Sequence, residues 1–75
     1  MTYDGKWLLD VCEALDLKKQ QLAKLIGCSD ETVYRWANDT ARIPHATILL
    51  LRLMIDDPRV MPKVMAYNAE AAVSV

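Results

Sequence analysis

Residues 19–38, KQQLAKLIGCSDETVYRWAN, decide how the chain folds. Apolar residues fall at Leu22, Ile26, Cys28, Val33 and Trp36, and the small Ala23 stands four places before Gly27. This spacing predicts two short helices joined by a tight turn. The first covers about 18–26 and buries Leu22, Ala23, Leu25 and Ile26. Gly27 ends it, because glycine adopts the positive φ of a helix terminus without a Cβ clash. Ser29 is the expected N-cap of the second helix, which reaches about Trp36. A side chain larger than Ala23 would push the two helices apart where they cross.

Upstream, Asp4 suits the N-cap of a helix over about 5–15. Trp7, Leu8, Val11, Cys12 and Leu15 recur at helical spacing, with Lys6, Asp10 and Glu13 on the wet side. Downstream, Asn38-Asp39-Thr40 is turn chemistry. Pro44 suits the first turn of a fourth helix, where a missing N–H does no harm. That helix ends near Asp56, and Asp57-Pro58 breaks it. Val60, Met61, Val64 and Met65 fit a fifth helix whose start Pro62 restricts. The last residues, AAVSV, fit either a frayed tail or an added strand.

The fourth helix is apolar on two sides. At about 100° per residue, Ala46, Leu49, Leu50 and Leu53 share one side. Ile48, Leu51 and Ile55 share the other, with Arg52 beside them. The second stripe needs a cover, either residues 58–75 or a second chain. Full burial of its three apolar side chains would contribute on the order of 5–8 kcal/mol.

Seventy-five residues make one domain. The sparse glycine and the abundance of helix formers favour an all-α fold of four or five helices. The 53% apolar content exceeds what so small a core requires, which points to an apolar surface that meets a partner. Cys12 and Cys28 stand where small apolar residues fit and read as reduced, buried thiols. His45 is the only histidine and neither cysteine has a CxxC neighbour, so no metal site is expected. No catalytic constellation appears: the one histidine has no evident partner, no paired acids stand in a recognisable setting, and there is no phosphate-cradling glycine loop. The expectation is a protein that is not an enzyme, with no cofactor and no small-molecule ligand. The first ten residues carry two acids and no apolar run, and residues 46–55 are too short to span a bilayer and contain Arg52. A cytoplasmic protein without a membrane partner is therefore expected.

The formal net charge is −1, but it is unevenly spread. Residues 1–17 sum to −3, residues 46–75 to zero, and residues 18–45 to +2. Lys18, Lys19, Lys24, Arg35 and Arg42 concentrate positive charge on the two-helix segment, and phosphate attraction follows local charge.

Residues 8–56 resemble the phage lambda-repressor and Cro family of helix-turn-helix regulators. The resemblance rests on LAKLIG at Leu22–Gly27, the cap at Ser29, Val33 and Trp36 as core residues, and RIPH at Arg42–His45. It implies a DNA-binding domain over 1–57, with 58–75 as a possible short helix and dimerisation tail of the same domain. It also implies a homodimer that places the second helix of the motif in the major groove of double-stranded DNA and regulates transcription, as repressors of this family do. Two half-sites would then lie about 34 Å apart. By this resemblance Ser29, Asp30, Glu31, Tyr34 and Arg35 contact bases, and Arg35 suits the O6 and N7 of guanine. Lys18, Lys19, Gln20, Thr32, Asn38, Thr40 and Arg42 contact phosphates. Ile48, Leu51, Arg52, Ile55, Val60 and Met61 are the expected dimer interface.

Three positions depart from the family pattern. Asp30 and Glu31 stand where glutamine is common, Lys18 where Ser or Thr caps, and Asp39 where glycine is common. The two acids keep a second reading open, a helix-turn-helix-derived module that binds protein and not DNA. A phage excision or architectural DNA-binding factor is a third.

Overall fold

The computed structural model describes residues 2–74, with side chains for 2–71. Among these residues the chain forms five helices and no strand: α1 Gly5–Ala14, α2 Lys19–Ile26, α3 Asp30–Ala37, α4 His45–Asp56 and α5 Val60–Ser74. The local signals act where the sequence places them. Asp4 accepts from the Trp7 N–H at 3.0 Å, and Ser29 accepts from the Thr32 N–H at 3.2 Å. Gly27 sits at φ +79°, and the Gly27 and Cys28 amides close on the Ala23 carbonyl.

Some boundaries shift by a residue. α1 stops at Ala14, with Leu15 as its C-cap, and α3 continues to Ala37. Lys18 lies outside α2 as its N-cap, and Pro44 lies just before the first turn of α4. α5 begins at Val60 and carries Pro62 within its first turn, where proline removes no intrahelical bond. The helix extends to Ser74, so residues 71–74 are not a strand. Val75 lies outside the described residues.

One core joins all five helices. Leu8, Val11 and Cys12 of α1 meet Leu22, Ala23 and Leu25 of α2, Val33 and Trp36 of α3, Ile43, and Leu51 and Met54 of α4. Val60, Met61 and Val64 pack α5 against this cluster. α2 and α3 form the most extensive helix pair. Ala23 is fully buried, consistent with close approach at the crossing. At the start of α1, a Cβ on Gly5 would overlap the Ala37 carbonyl oxygen, so only glycine permits α1 to rest on the end of α3.

The orientation of α4 corrects the two-stripe reading. Burial centres on Leu51, at the edge of the second stripe, and Met54, between the two stripes, with Ile48 and Leu50 half-buried on either flank. Leu51 is fully buried and has no surface for a second chain. Met54 falls in neither stripe, because a two-sided division leaves out the line between the sides. The exposed large apolar residues of α4 are Leu49 and Leu53 on one edge, 54% and 51% exposed, and Ile55 on the other, 41% exposed.

Candidate nucleic-acid interface

α3 is amphipathic in the simplest way. Val33 and Trp36 hold its back to the core, while Asp30, Glu31, Tyr34 and Arg35 face outward. Its start is fixed twice at Ser29, whose Oγ accepts from the Thr32 amide and shares a 2.8 Å hydrogen bond with Thr32 Oγ1. Asp30 and Glu31 lie in the first turn, where the positive end of the helix dipole favours carboxylates. The two acids therefore have a folding reason to be there, whatever else they contact.

Arg35 is engaged within its own helix. Its Nη2 donates to Glu31 Oε1 at 2.7 Å, one turn earlier. Both side chains remain more than half exposed, so the pair contributes only about 0.3–0.5 kcal/mol. An interaction that weak leaves the guanidinium free to exchange partners, and Nε and Nη1 stay outside the pair. Tyr34, 41% exposed, is covered on one side by Lys19 from α2, whose Nζ lies 5.1 Å from the ring centroid. That cation–π contact ties the start of α2 to the outer side of α3.

The expected phosphate-contacting residues fall in two groups. Lys18, Lys19 and Gln20 gather at the start of α2, and Lys18 and Gln20 are exposed. Lysine has no acceptor with which to cap a helix. The Lys18 backbone N–H is instead satisfied by Gln21 Oε1 at 2.8 Å, which the spacing of Gln21 three residues after Lys18 signals. Asn38, Thr40 and Arg42 form the second group, in the exposed loop after α3. Thr40 Oγ1 donates to the Arg35 carbonyl at 3.1 Å, so this loop grows directly from the end of α3. Thr32 differs from both groups: it is half-buried and held in the cap.

The expected dimer residues do not form one free surface. Leu51 lies in the core, and Ile48, Val60 and Met61 pack against it. Arg52 is exposed but donates from Nη1 to Tyr3 Oη at 3.1 Å. Tyr3 stacks edge-on against Trp7 with 4.9 Å between centroids, so Arg52 belongs to a tie between α4 and α1. Asn68, unremarked in the sequence, donates to the Lys24 carbonyl at 2.7 Å and fastens α5 to the end of α2.

Both thiols are free, and burial pushes each above the ordinary cysteine value, Cys12 against a lowering effect of Lys19. They remain protonated and poorly nucleophilic near neutral pH. Among the described residues, no group of three His, Cys, Asp or Glu is placed to hold a metal ion, and no helix is long and apolar enough to cross a membrane.

No family model, no curated protein and no solved structure matches the chain.

Proposed function

We propose that the protein is a sequence-specific binder of double-stranded DNA of the helix-turn-helix type, acting as a homodimeric transcriptional regulator. One observation carries this reading. α3 is gripped by Val33 and Trp36 and capped by Ser29, while its outer side presents Glu31, Tyr34 and Arg35 between two clusters of exposed polar and basic residues. That is the arrangement a recognition helix needs: rigid behind, hydrogen-bonding in front, and flanked by phosphate-seeking groups. Arg35 would read a guanine, with Glu31 beside it as an acceptor for cytosine N4.

The homodimer is assigned to a different part of α4 from the one the sequence favours. Ala46, Leu49 and Leu53 are exposed and share one side of the helix, a stripe able to pack on its own copy about a two-fold axis. The substitution Leu53→Glu would yield monomers in analytical ultracentrifugation, whereas Leu53 in a purely monomeric protein would tolerate glutamate without change in mass.

Selection of bound duplexes from a random pool tests the whole reading. A two-fold symmetric consensus is the expected result, with affinity falling steeply as salt rises. The absence of any duplex binding in low salt would favour the protein-binding module instead. The observation on that side is the Glu31–Arg35 pair, which neutralises the one arginine on the outer side of α3.

A further inference from the structure

The chain has two aspartates in the left-handed region, and they differ in what their side chains do. Asp16 follows α1 at φ +55°, and Asp39 follows α3 at φ +60°. Each completes the same helix-ending motif. After α1, the Asp16 N–H bonds the Glu13 carbonyl and the Leu17 N–H bonds Cys12; after α3, the Asp39 N–H bonds Trp36 and the Thr40 N–H bonds Arg35. Glycine serves this position with less strain, and aspartate is among the few other residues that tolerate it. Only Asp39 reaches another helix. Its Oδ1 accepts from the Gly5 N–H at 2.7 Å, across thirty-four positions of sequence.

That amide is the first of α1 and has no partner within its own helix. A carboxylate there also meets the positive end of the helix dipole. Gly5 is buried, and its missing Cβ is what lets α1 approach the Ala37 carbonyl. Beside Asp39 an open cleft of about 350 Å³ separates the loop from the segment that precedes α1, between Tyr3, Asp4, Thr40 and Arg42. Ile43, buried in the core, anchors the far end of the loop. Asp39 therefore pins the near end.

We propose that Asp39 is a positioning residue for phosphate contact. By fastening the 38–42 loop to α1, it holds Thr40 and Arg42 at a set reach from α3, so that little loop order has to be lost or gained on binding. This rests on the DNA-binding reading above. It also explains an acid in a loop that would face phosphates: one carboxylate oxygen is committed to the Gly5 amide.

The experiment measures affinity for a mixed-sequence duplex across a range of salt concentrations, alongside Tm and the exchange rate of the Gly5 amide. Asp39→Gly keeps the turn and removes the tie. It should leave Tm unchanged or raised, speed Gly5 exchange, and make the salt dependence shallower by about one unit of slope, the share of Arg42. Asp39→Asn keeps an acceptor oxygen and tolerates the left-handed region, and should keep the wild-type slope. Arg42→Ala should remove about one unit from the wild-type slope and nothing further from Asp39→Gly. A wild-type slope in Asp39→Gly, an equal effect of Arg42→Ala in both backgrounds, or Asp39→Asn behaving like Asp39→Gly would each overturn the proposal. So would a drop in Tm large enough to account for lost binding. Failure of the wild-type chain to bind any duplex would instead overturn the DNA-binding reading, and this proposal with it.

Discussion

α3 and α4 bury comparable apolar faces but show solvent opposite kinds of surface. The outer side of α3 is polar and organised by its own contacts, Glu31 with Arg35 and Tyr34 with Lys19. The outer side of α4 carries Leu49 and Leu53, each about half exposed, with no charge between them except Arg52, which turns to Tyr3. A helix that displays hydrogen-bonding groups on a rigid back suits a polar, grooved partner. A helix that leaves leucines in water suits association with another apolar face. One small core thus supports two outward surfaces of different chemistry.

The largest expected effect tests the orientation of α4. Leu51→Ala should destabilise the fold by about 2–5 kcal/mol, since it empties a fully buried site, whereas Leu53→Ala should change monomer stability by less than about 0.5 kcal/mol. Urea denaturation of the two variants measures both. Equal losses would mean that α4 is turned from the orientation described.

The next test addresses the outer side of α3. Arg35→Ala should weaken binding to the selected duplex by about 1–3 kcal/mol and relax preference at one base pair, with no matching fall in Tm. A uniform loss on every sequence would move Arg35 from base reading to phosphate contact. Ser29→Ala should cost about 1 kcal/mol of stability through the lost cap, measured by thermal melting. No change would mean that Asp30 and Glu31 at the first turn replace it.

The smallest effect concerns the thiols. Burial raises both in the fold, so their contribution to stability is fully present below the ordinary thiol value. It is lost as pH rises from there through the folded values, because the unfolded chain gives up its protons first. Stability should therefore decline modestly on the alkaline side, and the decline should shrink in Cys12→Ser. Under native conditions iodoacetamide should modify Cys28, which is half-buried, well before Cys12, which is 6% exposed. Rapid modification of Cys12 would show that α1 opens locally.

The first three helices were largely legible in the sequence because their signals are local. Asp4, Gly27 and Ser29 act on amides or dihedrals within a few residues, and Val33 and Trp36 are framed by charged neighbours that mark the wet side. α4 offers no such frame. With apolar residues on most of its circumference, periodicity yields two stripes, and the buried line runs through Leu51, at the edge of one stripe, and Met54, which belongs to neither. At the candidate site, the exposed positions of α3 followed from the same pattern that buries Val33 and Trp36. Gln21 beneath Lys18 was signalled by spacing, but the Lys19–Tyr34 contact and the Asp39–Gly5 bond join residues far apart in sequence. No pattern within one helix encodes them.

By itself, the sequence determined the all-helical class, to within a residue the places where α1, α2 and α3 begin and end, and which side of α3 is buried. Capping, glycine dihedrals and amphipathic period are short-range, and they act the same way in any compact fold. The tertiary structure alone decided which way α4 turns, which leucines stay in water, and how the loop after α3 is fastened to α1. Those features depend on where one helix lies against another, and that is settled by the sum of all packing contacts rather than by any neighbour in the chain.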